Sequence, residues 1–183
     1  MFSRNIKFNL FALIIGGMLA FNLQSCKKDD DDNDHDNDQE LITSLILNLA
    51  ENGNNSSFAW RDIDGPGGNP PVIDTIRLLA NTTYNLSLEV LDESKNPAEV
   101  ITEEINEEDE EHLFLFEDNA GLLTITTVDM DSNGDPVGLE NTLQTINRGT
   151  GKLKISLKHE SDKSNPENTG ETDIEVEMVY VVE

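Results

Sequence analysis

Three features of this 183-residue chain predict an all-β fold: an antiparallel sandwich of about nine strands that carries one short acidic surface helix. From Leu41 onward, apolar residues recur with a period of two, the repeat of a strand that buries one face. These runs are short and separated by clusters of Gly, Pro, Asn and Asp, the residues that tight turns require. Residues 41–183 are rich in Leu, Ile and Val, and their length suits one domain with a core between two sheets.

The first strand is read at 41–49, where Leu41, Thr43, Leu45, Leu47 and Leu49 alternate with Ile42, Ser44, Ile46 and Asn48. A turn at Asn52-Gly53-Asn54-Asn55 leads to a second strand, 56–61, with Phe58 and Trp60. The segment 62–71, full of Gly and Pro, reads as a loop. Strands follow at 74–80 and 83–91, the latter with Tyr84, Leu86, Leu88 and Val90 on one face. Residues 99–111 lose the period of two, are rich in Glu and place Val100, Ile101 and Ile105 at helical spacing. They are read as the surface helix, with Asn96 as its cap and Pro97 at its first position. His112–Phe116 is an apolar strand, and 122–128 with 138–146 form a hairpin. In 152–159, Leu153, Ile155 and Leu157 point inward. In 172–182, Ile174, Val176, Met178 and Tyr180 do the same. This pattern describes an immunoglobulin-like architecture, without the Cys-Trp-Cys signature of immunoglobulin domains.

The first forty residues differ in kind. Arg4 and Lys7 precede the apolar run Leu10–Phe21, the order of a secretory signal, and twelve residues are too few to span a bilayer, which needs roughly 20. Leu23-Gln24-Ser25-Cys26 follows. Residues 27–40 hold eight acids, His35 and almost nothing apolar, so they are expected to form a disordered, self-repelling, extended tether. The division is therefore signal peptide 1–25, acidic tether 26–40 and β-sandwich domain 41–183. Cys26 is the sole cysteine, which rules out an internal disulfide and a thiolate metal cluster.

Leu23-Gln24-Ser25-Cys26 resembles a lipobox, with Leu at −3, a small residue at −1 and a cysteine that becomes the mature N-terminus. Gln24 departs from the usual small residue at −2, as happens in lipoproteins of Bacteroidota. Cys26-Lys27-Lys28-Asp29-Asp30-Asp31-Asp32 resembles the acid-rich signal that sends such lipoproteins to the outer leaflet of the outer membrane. The resemblance implies lipidation of Cys26 and an outer-membrane anchor at the cell surface, or alternatively at the periplasmic face. Several acyl chains hold stably, because each buried methylene contributes about 0.8 kcal/mol. The whole chain also resembles the small β-sandwich lipoproteins of that phylum, a likeness that implies no activity. Some of these carry histidine-aspartate repeats after the cysteine, of which Asp34-His35-Asp36 would be a vestige, and this favours metal ions.

Charge narrows the partners. The chain has 12 Lys and Arg against 37 Asp and Glu, a net charge of −25. Such a surface repels nucleic acid and anionic head groups and favours cations or basic proteins.

Asp129-Met130-Asp131-Ser132-Asn133-Gly134-Asp135, with Glu140 at position 12, matches the calcium-loop pattern, in which alternate oxygens converge about a glycine bend. Strand-like flanks and Pro136 at position 8 exclude an EF-hand. They leave either a calcium-binding hairpin loop using Asp129, Asp131, Asn133, Asp135 and Glu140, or an Asn-Gly turn with solvated acids. Asp62, Asp64 and Asn69 form a weaker loop of the same kind, for which a tight connection is the simpler account.

His112 is in phase with Phe114 at the start of one strand, and His159 with Leu157 at the end of another. Were these strands antiparallel, the rings would meet at one end of the sandwich beside Glu111, Glu160 or Asp162, a donor set suited to zinc or another transition ion. The alternative is two separate histidines hydrogen-bonded at strand ends.

No Gly-x-Ser-x-Gly, His-Glu-x-x-His or phosphate-binding glycine loop occurs, so the chain is read as non-catalytic. The sequence thus leads to an anchored accessory lipoprotein that binds a divalent cation or a partner such as an outer-membrane transporter. Its rivals are a structural or adhesive sandwich without ligand, and a hydrolase with an unrecognised carboxylate site.

Overall fold

Alternation of Leu45, Leu47 and Leu49, each 1 % exposed or less, with more exposed neighbours makes Ser44–Glu51 a strand with one buried face (β1). A computed structural model describes residues 41–183. The signal segment, Cys26 and the tether lie outside the described residues. The remaining elements are β2 (Asn54–Arg61), β3 (Val72–Ile73), β4 (Ile76–Leu78), β5 (Thr83–Asp92), β6 (Glu99–Val100), α1 (Ile101–Glu107), β7 (His112–Asp118), β8 (Leu123–Thr127), β9 (Glu140–Thr145), β10 (Gly149–His159) and β11 (Glu171–Val182).

Two sheets face each other. One has the order β3-β2-β1-β5-β9-β8, with β6 added beside β5, and the other the order β4-β11-β10-β7. The all-β sandwich with one short acidic helix is as expected. Its eleven described strands exceed nine because β3 and β6, two residues each, leave too little sequence pattern to read. All pairings are antiparallel except β4 with β11, which is parallel. The core lies between the sheets. Leu45, Leu47, Leu86, Val90 and Leu143 from one meet Leu153, Ile155, Val176, Met178 and Tyr180 from the other in a single apolar cluster.

Two expected elements differ. The strand read at 74–80 shortens to Ile76–Leu78, because Asp74 turns back to accept the Ala59 N–H at 2.9 Å. The helix starts at Ile101 with Val100 in the cap position and no side-chain cap bond, so Asn96 is not its cap. The cause is a turn directly after β5, where Asp92 accepts the Ser94 N–H at 2.9 Å and sends Glu99–Val100 back along β5 as a strand. Thr102 then fastens the first helical turn to β5, accepting the Val90 N–H at 2.7 Å and donating to the Val90 carbonyl at 3.2 Å. Ile101 and Ile105 bury the helix's apolar side.

The crossover from β7 to β8 joins the two sheets, and Asp118 organises it. Its carboxylate accepts the N–H groups of Ala120 (3.0 Å), Leu122 (2.7 Å) and Leu123 (2.9 Å), and the Tyr180 hydroxyl at 2.5 Å. Tyr180 reaches it over Gly151, its register partner on β10. A side chain at Gly151 would collide with the phenol.

Candidate metal centre

The antiparallel register of β7 and β10 sets His112 directly opposite His159 at one end of the second sheet. The rings stack with centroids 4.5 Å apart and planes 16° apart. His112 is 5 % exposed. The juxtaposition read from strand phase is therefore present.

His112 has one nitrogen at hydrogen-bond distance from an acceptor, whereas both nitrogens of His159 face carboxylates. His112 Nδ1 lies 3.0 Å from the Glu108 carbonyl oxygen. A carbonyl only accepts, so Nδ1 carries the proton and, in the neutral ring, Nε2 holds the lone pair. His159 Nδ1 stands 3.9 Å from Asp173 Oδ1, and its Nε2 stands 3.5 Å from Glu111 Oε2.

Two donor groups converge here. The ligand atoms of Glu108, His112 and His159 lie within 4.8 Å of one another, as do those of Glu111, His159 and Glu160. His159 belongs to both. Zinc bonds of 2.0–2.2 Å put tetrahedral donors about 3.3 Å apart, so closure of either group requires the exposed glutamates to rotate, and closure on both histidines also requires one ring to turn out of the stack, because imidazole lone pairs lie in the ring plane. The run Glu108-Asp109-Glu110-Glu111 adds a field that concentrates cations. The chain bends sharply into this end: Glu160 adopts φ 50°, and its N–H donates to the Glu111 carbonyl at 2.9 Å.

Asp162, the third acid expected nearby, is occupied elsewhere. It caps its own turn through the Ser164 hydroxyl (2.6 Å) and N–H (3.0 Å), which hold its carboxyl below the usual range. The structure adds Glu108 and Asp173 to the residues around the histidines. Glu108 precedes His112 by four residues within an acidic run, a spacing that suits shared ligation. Asp173 had no such signal, since it falls out of phase with Ile174 and Val176.

The acid-rich loop 128–139 connects β8 to β9, whose pairing confirms the expected hairpin. Its carboxylates turn to different partners. Asp129 accepts the N–H groups of Gly138 (3.0 Å) and Leu139 (2.9 Å). Asp131 Oδ1 accepts those of Asn133 and Asp135, both at 2.9 Å, while Oδ2 receives the Lys163 ammonium at 2.8 Å. That ion pair is nearly closed to solvent, with side chains 5 % and 1 % exposed. The lysine above all, and then the two N–H groups, hold the Asp131 carboxyl below the usual range against the opposing effect of burial. Asp131 thus already holds a cation, one supplied by the chain. Asn133 and Asp135 are exposed. Glu140 shares with Asp129 a surface concavity of about 400 Å³ against α1. Loss of solvent there, with the neighbouring Asp129 charge, holds its carboxyl above the usual range.

In the weaker loop, Asp64 Oδ2 accepts the Asn69 backbone N–H (2.9 Å) and side-chain amide (2.7 Å), which hold its carboxyl low. Asp62 Oδ1 is a buried atom without a hydrogen-bond partner. The arrangement is that of a tight connection, with Asp64 as its tie. No protein-family model, curated protein or solved structure matches the chain.

Proposed function

We propose that this chain is a lipid-anchored surface β-sandwich that binds one divalent transition ion of the zinc class between His112 and His159, without catalysis. The anchor rests on Leu23-Gln24-Ser25-Cys26, which lies outside the described residues. The observation that carries the ion reading is the cross-strand register of the two histidines, stacked at 4.5 Å, with the Glu108 carboxylate near both rings and those of Glu111 and Glu160 near His159. Imidazole with carboxylate selects borderline ions such as zinc over calcium or magnesium, which prefer all-oxygen shells.

The test is thermal melting of the mature chain with and without zinc. An ion present at 100 times its dissociation constant stabilises the fold by about 2.7 kcal/mol. Zinc should raise the midpoint of the wild-type chain, and His159→Ala should abolish the rise. An unchanged midpoint with zinc, or an equal rise in His159→Ala, would sink the proposal.

A further inference from the structure

A strand at the end of a sheet leaves half its backbone groups unpaired and can template another strand. Folded chains blunt such edges with charge, proline, a bulge or sheer brevity. One sheet here ends in β3 and β8, the other in β4 and β7. Three of these edges are blunted. β3 has two residues and follows Pro70-Pro71, and β4 has three with the exposed Arg77 in its middle. β7 ends in Glu117-Asp118, and its Phe114 N–H already donates to the Val137 carbonyl at 2.7 Å. The fourth edge, β8, is different. Its five residues, Leu123-Thr124-Ile125-Thr126-Thr127, carry no charge and no proline, and they pair with β9 without a bulge.

Two bonds give the phase of the β8 ladder. The Leu122 carbonyl accepts the Ile146 N–H, and the Val128 N–H donates to the Glu140 carbonyl, both at 2.9 Å. With the β8–β9 register, they turn the backbone groups of Thr124 and Thr126 towards β9 and those of Leu123, Ile125 and Thr127 to the open side. Asp118 takes the outward N–H of Leu123 at 2.9 Å. Among the described residues this leaves two open donors on the edge, the N–H groups of Ile125 and Thr127, beside the carbonyls of Leu123, Ile125 and Thr127.

We infer that β8 is the pairing edge for a second copy of this chain, the two β8 strands lying antiparallel across a two-fold axis and joining their sheets into one. In the register that overlaps the whole strand, Ile125 faces the partner's Ile125. Each Ile125 N–H then reaches the partner's Ile125 carbonyl, and each Thr127 N–H the partner's Leu123 carbonyl. Every open donor finds an acceptor, and the one outward N–H without a role in this pairing is the one Asp118 holds. Thr124 stands opposite the partner's Thr126, and pairs of hydroxyl-bearing or β-branched residues favour adjoining strands. Val128, 57 % exposed at the end of β8, is covered as the partner strand passes it. Charge permits the contact here although the chain carries −25. Outward from the edge, Thr124 and Thr126 lead to Gln144 and Thr142 on β9, then to Thr83 and Asn85 on β5, none of them ionisable. More distant acids are screened beyond about 8 Å at physiological salt. An uncharged, self-complementary edge fits a second copy rather than a basic strand, which would find no acid opposite it. The inference does not depend on the metal or anchor readings.

Sedimentation equilibrium tests it on the mature chain, produced without lipid and kept reduced so that Cys26 cannot cross-link. From micromolar to millimolar concentration the mass should double, and added salt should shift the doubling to lower concentration. Amide hydrogen exchange locates the interface. The amides of Ile125 and Thr127 should slow by about tenfold once nine chains in ten are paired, while that of Leu123 stays as it is. Ile125→Lys, which sets two ammonium groups directly opposite each other, should remain a monomer. Thr127→Pro removes an outward donor but no bond to β9 and should also remain a monomer, which covers the case of a misfolded lysine variant. A monomer throughout the range overturns the inference. So does a dimer whose Ile125 and Thr127 amides exchange as fast as in the monomer, or one unaffected by Thr127→Pro. The wild-type measurements decide even if neither variant folds.

Discussion

Tyr180→Phe removes one oxygen from the interior and nothing else. The phenol is fully buried, and its hydroxyl donates to Asp118 at 2.5 Å. A hydrogen bond to a charged acceptor contributes about 1.5–3 kcal/mol net. Asp118 retains its three backbone N–H donors and gains no new partner, so about 2 kcal/mol is the expected loss. Unfolding entropy of about 2.1 cal/mol/K per residue gives roughly 0.3 kcal/mol/K for a domain of this size, so the midpoint should fall by about 7 °C. Calorimetry or circular dichroism melts of the mature chain measure it. A midpoint within about 1 °C of wild type would show that the Asp118–Tyr180 contact does not hold the crossover between the sheets.

The same contact predicts an acid limb. Burial pushes the Asp118 carboxyl up, but the Tyr180 hydroxyl and three N–H groups outweigh it, leaving its pKa below the ordinary 3.8. Its stabilisation is therefore complete above the unfolded value and disappears as pH falls through the lower folded value, so urea midpoints should decline below about pH 4, and less steeply in Asp118→Asn. Gly138→Ala should be costly, because φ is +93° and a Cβ there would sit 2.8 Å from Phe114 Cβ. About 1–3 kcal/mol, read from the urea midpoint, is the expected loss. Lys163→Met should lower the melting midpoint and raise the Asp131 pKa towards its ordinary value, measurable by carboxyl carbon-13 titration, since the lysine is the main cause of the present depression.

Sandwich and strands were legible because one-sided burial imprints a period of two on residues such as Leu153, Ile155 and Leu157. Phase also put the two histidines on the same face at ends that antiparallel pairing could bring together, and the register of β7 with β10 completes the pair. What escaped was set by interactions distant in sequence. The Lys163–Asp131 pair spans 32 positions, and nothing local marks Lys163 as the partner of a loop that otherwise reads as an ion binder. Asp173 escaped because a one-residue register shift inverts the face that phase assigns. The helix start escaped because side-chain ties of Asp92 and Thr102 to nearby backbone overrode the cap signal of Asn96-Pro97.

Lys163 does more than neutralise Asp131. The same ammonium donates to the Asp109 carbonyl at 2.6 Å, while the Ser132 hydroxyl donates to Glu110 at 2.5 Å. Three connections that meet near the histidines are thereby ordered when the chain folds rather than when a ligand arrives. An ion entering beside His159 would find the backbone of Glu108–Glu111 already immobilised, so the entropy of arranging that turn would be absent from its binding. Association should then proceed in one step at a rate set by dehydration of the ion, with no slower phase from loop ordering.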